Sequence, residues 1–165
     1  MRSIAHGSFT VERRYDAPAA RVFEAWTDPD QIREWAAPVE GWTFAIRAFD
    51  FRVGGGEHFE FGPPGSPPCT HISRFDDIVP GERIVSAYAL SQGAKRISSS
   101  VMCVELVDEG AATLVRVTEH GAFFDGLDTV QNRKGGTLQT LAQLQAILAL
   151  KTWKKPPKPT DDKPR

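Results

Sequence analysis

The chain has 165 residues and a net charge of -1 at neutral pH, with charges of both signs interspersed along it. That length fits one domain able to bury about two-thirds of its unfolded surface without disulfide staples, large enough to hold a cavity. The charge balance leaves no electrostatic footprint for nucleic acid, and no zinc-finger or RNA-binding signature accompanies it. No apolar run approaches the about 18 residues of a membrane span, and the opening MRSIAHGSFTVERRYD lacks the hydrophobic core of a signal peptide, so a cytoplasmic protein is expected. Cys69 and Cys103 stand without a CxxC or Cys/His cluster, which reads as free thiols in a reducing compartment, with no metal and no cofactor.

Phe9, Val11, Arg13 and Tyr15 alternate with Thr10, Glu12, Arg14 and Asp16, which predicts a first strand over residues 8–16. Ala17-Pro18 stops it, and proline suits the first turn of a helix carrying Val22, Phe23, Ala25 and Trp26 and ending near Thr27. Asp28-Pro29 restarts helix, with Ile32, Trp35 and Ala36 on one side and a stop before Pro38. From Trp42 the period changes to two. Strands are predicted at 42–51, 57–62, 70–79, 83–91, 96–107 and 112–121, separated by glycine- and proline-rich breaks. Short loops between neighbouring strands make this an antiparallel meander.

The run from about Asp125 to Leu150 predicts a long helix of about 22 residues, roughly 33 Å at about 1.5 Å per residue. Asp128 and Thr129 can supply its N-capping oxygens. Leu138, Leu141, Ala142, Gln145, Leu148 and Ala149 recur at steps of three and four and are read as its oily face, with the sheet as partner surface. Gly135 and Gly136 lower helix propensity by about 1 kcal/mol each, so either the helix begins after them or backbone comes close to something there. Residues 152–165, rich in proline and lysine, are expected to form a disordered tail after a single domain over 8–151.

Specific residues resemble a known family. FTVERRYDAPAARVFEAWTDPDQIREWAAP at 9–38 is similar to the opening of the helix-grip superfamily called SRPBCC or START-like, in the branch resembling activators of heat-shock-protein-90 ATPase, where a strand precedes "APxxxVFxAWTDPxxxxxWW". Asp50-Phe51-Arg52-Val53-Gly54-Gly55 resembles that family's "DLRxGG" strand end. Thr118-Glu119-His120-Gly121-Ala122-Phe123, followed by Asp125-Gly126, Arg133 and Gly136, resembles its "TExGxFxDGxDxxxxRxxGxxxLLxxL" ending. Ala36 stands where the family pattern has a second tryptophan, and the proline-rich insert at 63–68 and the tail are outside the pattern. The resemblance implies an α+β helix-grip fold: a curved antiparallel sheet of about seven strands, two short helices after strand one, and a long C-terminal helix over a cavity. It spans functions from lipid carriers and cyclases to binding proteins.

A cavity between sheet and helix is the default small-molecule site. Alternation puts Phe59 and Phe61 on one face, likewise Ile84, Ser86, Tyr88 and Leu90, likewise Met102, Val104 and Leu106, and likewise Val115, Val117 and Glu119. The candidate cavity residues are Trp35, Phe59, Phe61, His71, Phe75, Tyr88, Met102, Glu119, Leu138 and Leu141. Glu119, on a face read as buried, calls for protonation, water, or a partner such as Arg52, Arg74 or His71, and is the weak catalytic candidate. His58, His71 and His120 fall on three strands without metal-ligand spacing. Ser98-Ser99-Ser100 lacks a nucleophile elbow and is read as hydroxyls on a solvent face. Gly54-Gly55-Gly56 is read as a turn, and Asp50 with Arg52 as a salt bridge at a strand end. The leading expectation is a domain that binds a small, largely apolar or lipid-like molecule. The alternatives are a cyclase or dehydratase using Glu119 or a cavity histidine, and a chaperone-associated interaction module. A homodimer is expected, because the edges of such an open sheet need covering.

Overall fold

The computed structural model describes residues 2–150, so the tail expected at 152–165 lies outside the described residues. The order is β1 (Ile4–Tyr15), α1 (Ala19–Thr27), α2 (Pro29–Trp35), β2 (Thr43–Phe49), β3 (Glu57–Gly62), β4 (Cys69–Val79), β5 (Arg83–Gln92), β6 (Lys95–Asp108), β7 (Thr113–Phe124) and α3 (Val130–Leu148). β1 begins at Ile4 rather than residue 8, because its poorly alternating first residues gain partners from β7, with Ile4 opposite Phe124 and Gly7 opposite Gly121. All seven strands form one antiparallel sheet in the order β1-β7-β6-β5-β4-β3-β2. The six-strand meander thus closes its β7 side on the first strand. The fold is the α+β helix grip that the resemblance implied.

Local chemistry explains the short elements. Pro29 starts α2 where its missing N–H costs nothing, and the Asp28 side chain accepts from the Asp30 N–H at 3.0 Å. The Trp35 indole N–H then donates to the Ala25 carbonyl at 3.0 Å, tying α2 to α1. Register shifts leave one extra residue each in β2 (Arg47), β4 (Asp76) and β6 (Ile97), bulges that bend these strands and curve that side of the sheet.

The inner face of α3 differs from the expected one. Leu141, Leu144 and Leu148 are buried, whereas Leu138 is 45% exposed and Ala142, Gln145 and Ala149 also face solvent. The helix is rotated because leucines, alanines and glutamines are spread around it, and packing against the sheet, not the pattern, selects the face. The rotation has a firm anchor in the Tyr15 hydroxyl, which donates to the Leu141 carbonyl at 2.7 Å. The helix also runs unbroken through Gly135 and Gly136, so they do not mark its start.

Along that inner face the side chains change character. Arg133, Gly136, Thr137 and Thr140 occupy the N-terminal half, and Leu141, Leu144 and Leu148 the C-terminal half. The leucines share a core with Phe9, Val11 and Tyr15 of β1 and with Val115 and Val117 of β7. Small and polar residues at the other end cannot fill the space above β3, β4 and β5. A cavity remains there.

One glycine turn secures the far side of the sheet. The loop joining β2 to β3 lies on β4: the Gly54 N–H donates to the Phe75 carbonyl and the Phe75 N–H donates to the Gly55 carbonyl, each at 2.9 Å. A Cβ on Gly56 would sit 1.9 Å from the Ser73 carbonyl oxygen, so only glycine allows the approach. Arg52 pairs with Asp50 at 2.8 Å, as the sequence suggested for this strand end.

Two stability outcomes follow. In denaturant titrations Leu141→Ala and Leu144→Ala should each cost about 2–5 kcal/mol, because each removes fully buried contacts, whereas Leu138→Ala should stay within about 0.5 kcal/mol. Equal effects at the three positions would contradict the observed helix rotation. Gly56→Ala should cost about 1–3 kcal/mol through forced backbone movement, and an unchanged midpoint would mean the loop does not rest on β4.

Candidate functional site

The cavity has a volume of about 920 Å³ and lies between the inner face of the sheet and the N-terminal half of α3, with α2 and the segment after it along one side. Trp35, Phe59, Phe61, His71, Phe75, Tyr88, Met102 and Glu119 border it. Leu138 and Leu141 do not: Leu138 projects to solvent and Leu141 lies in the packed core, both consequences of the rotated helix. Rings dominate the wall. Phe44 lies 5.1 Å from Phe59 between centroids, and His71 stacks between Phe59 at 5.5 Å and Tyr88 at 4.5 Å. The stack follows from register, since β3 places Phe59 opposite His71 and the residues of β4 and β5 neighbour one another on the same face.

Beneath the N-terminal end of α3 sits a buried polar cluster built around Arg133. Its Nη1 donates to the Tyr88 hydroxyl at 2.6 Å and to Glu119 Oε1 at 2.8 Å. Its Nη2 donates to Ser98 Oγ at 2.6 Å and to Asp128 Oδ2 at 2.8 Å. Tyr88 in turn donates to Glu119 Oε1 at 2.7 Å. The guanidinium carbon also lies 5.5 Å from the Tyr88 ring centre and 5.3 Å from that of Phe123. Burial alone would lower the Arg133 pKa, but Tyr88, Glu119 and Asp128 reverse that and hold it above its ordinary value. Burial drives the Tyr88 phenol upward despite the opposing Arg133 charge. Arg133 is therefore a fixed cation and Tyr88 a neutral donor.

These contacts correct the partners expected for Glu119. Arg52 and Arg74 point to solvent and pair with Asp50 and Asp76, while His71 lies beside Glu57, with its Nε2 3.3 Å from Glu57 Oε2. That contact is too poorly aligned for a hydrogen bond, and His71 Nε2 is buried without one. Glu119 engages its partners through Oε1, which makes it a brace for Arg133 and Tyr88. The serine run is also corrected. Ser98 and Ser100 are buried and face inward, and only Ser99 is exposed. The signal was present in the alternation: Met102, Val104 and Leu106 share a face, and two steps back along β6 lead to Ser100 and Ser98.

Several residues that border the cavity were missed, notably Trp26, Glu57, Asp128 and Arg133. Arg133 could have been found by tracing the buried leucines back by three and four through Thr140, Thr137 and Gly136. Trp26 borders the cavity with its indole nitrogen buried and without a hydrogen-bond partner among the described residues. Cys69 also borders it, and burial, followed by the Asp128 charge, pushes its thiol upward, away from thiolate character. His120 is exposed on the outer face of β7. Among the described residues no group of three or more His, Cys, Asp or Glu side chains could hold a metal ion, and no helix is long and apolar enough to cross a membrane.

Residues 16–149 match the family described as Activator of Hsp90 ATPase homolog 1-like protein. No curated protein matches the chain. Among solved structures, the Mll3558 protein from Rhizobium loti is 42% identical, with 87% of this chain and 98% of that one covered and a TM-score of 0.78. A protein from Rhizobium leguminosarum is 34% identical, covering 90% of this chain and 98% of its own, with a TM-score of 0.81. The AHSA1-like protein from Aeromonas hydrophila, 21% identical over 87% of this chain and 92% of its own, shares the fold with a TM-score of 0.67. With the family match spanning most of the sheet, both short helices and all of α3, this chain belongs to the Activator of Hsp90 ATPase homolog 1-like family.

Proposed function

We propose that this protein binds a small, largely apolar molecule in the cavity between its sheet and α3. The observation that carries the reading is a cavity of about 920 Å³ walled by stacked rings, within the about 300–1,000 Å³ range of small-molecule sites. Its floor is held by the Arg133 cluster, so the walls are in place before a ligand arrives and little ordering cost falls on binding. Candidate contacts are Trp35, Phe59, Phe61, Phe75 and Met102 for apolar surface, and His71 and Tyr88 for polar contact at their ring edges. The second proposal is a homodimer. β1 and β2 are the outer strands of the sheet, and each has only one strand neighbour.

Nile red, an uncharged apolar dye, should bind saturably at micromolar protein with a blue-shifted emission. Gly136 lies on the inner face of α3 and borders the cavity, and a Cβ there would meet only Pro38 Cβ at 3.5 Å, an ordinary contact. Gly136→Leu should therefore place a side chain in the cavity and weaken the dye at least fivefold, while removal of about 1 kcal/mol of helix penalty keeps the chain folded. Absence of saturable binding, or unchanged affinity in that variant, would remove the cavity reading. Sedimentation velocity at micromolar protein should give a species of twice the monomer mass, and a monomer throughout that range would exclude the dimer.

A further inference from the structure

The charges around the cavity are unequal. Glu40, Glu57, Glu119 and Asp128 border it, and among the described residues Arg133 is the only arginine or lysine that does. Arg133 is spent: both of its Nη atoms are occupied by Glu119, Asp128, Tyr88 and Ser98, so no terminal nitrogen is left to grip an incoming anion. Glu57 lies in the wall with its side chain 14% exposed, and its neighbours are the Ser73 hydroxyl and the His71 ring. A carboxylate on a ligand would thus enter a partly dehydrated space facing a wall carboxylate and no free cation, where like charges repel far more than in water. Even a protonated His71 would be matched by the adjacent Glu57.

The same wall suits the opposite kind of molecule. Trp35, Phe44, Phe59 and Phe61 border the cavity and give apolar ring surface that suits a flat aromatic body. Glu119 receives Tyr88 and Arg133 on Oε1, and its Oε2 carries no hydrogen bond from the described residues. His71 Nε2 and Trp26 Nε1 are buried without hydrogen-bond partners; the imidazole nitrogen can accept from a ligand donor, whereas the indole N–H only donates and would be met by a ligand oxygen such as that of a hydroxyl. The inference rests on the cavity reading above and sharpens it: we infer that the ligand is an aromatic molecule bearing a hydrogen-bond-donating amine or hydroxyl, uncharged or cationic, and that fatty-acid and other carboxylate ligands are rejected.

Three probes of nearly equal shape separate the possibilities: 2-naphthylmethylammonium, 2-naphthol and 2-naphthoate, titrated into the full chain by calorimetry at neutral pH. The ammonium and the naphthol should each bind at least tenfold more tightly than the naphthoate. Glu57→Gln keeps the shape of the wall and removes one negative charge, so it should narrow the gap between ammonium and naphthoate severalfold while leaving naphthol within about twofold. Naphthoate binding as tightly as the ammonium, or a gap unmoved by Glu57→Gln, would overturn the charge assignment while leaving a ligand cavity intact. No binding by any of the three, together with no Nile red binding, would remove the cavity reading itself and this inference with it. The wild-type series decides the charge preference even if the variant does not fold.

Discussion

The docking of α3 on the sheet governs the rest of this molecule. One helix presents two kinds of surface in sequence: Arg133, Gly136, Thr137 and Thr140, then Leu141, Leu144 and Leu148. The leucines need apolar partners and find them over β1 and β7, with the Tyr15 hydroxyl holding the helix in rotation through the Leu141 carbonyl. Once that end is seated, the helix is rigid over its length, and its small and polar half hangs over β3, β4 and β5 without enough bulk to fill the gap. The cavity is thus a consequence of where the helix stops being apolar.

That geometry also draws Arg133 under the helix, where an unpaired charge would be costly. The protein meets the cost with two carboxylates, a phenol and a hydroxyl from β5, β6, β7 and the turn before α3. Breaking one arm of such a buried arrangement typically costs about 3–5 kcal/mol, since the remaining charge is stranded. The cluster therefore acts as a clamp between α3 and the central strands. It also consumes the one arginine that borders the cavity among the described residues and leaves other carboxylates facing the space, which is how a structural ion pair comes to shape the character of the site.

Much of the site was legible in the sequence because strands report their faces with a period of two. Phe59, Tyr88, Met102 and Glu119 were each assigned to a shared strand face by neighbours two residues away and named as cavity candidates, and all four border the cavity. The same rule carried two steps further would have recovered Ser98 and Ser100. α3 was harder. A helix with leucines at 138, 141, 144 and 148 offers more than one plausible stripe, and the one chosen put Leu138 inside. The partner of Glu119 was out of reach for a related reason: Arg133 was visible as part of a family-like motif, but its position between helix and sheet depends on the helix rotation.

By itself the sequence determined the order and kind of the elements, the turns between them, and the family, because these rest on local periodicity, proline and glycine chemistry, and short motifs. Only the tertiary structure decided that β1 closes on β7, which face of α3 is buried, and which of several arginines pairs with Glu119. Those choices join residues as far apart as Tyr15 and Leu141. They are settled by the packing of whole surfaces, a sum over many weak contacts that no local pattern encodes.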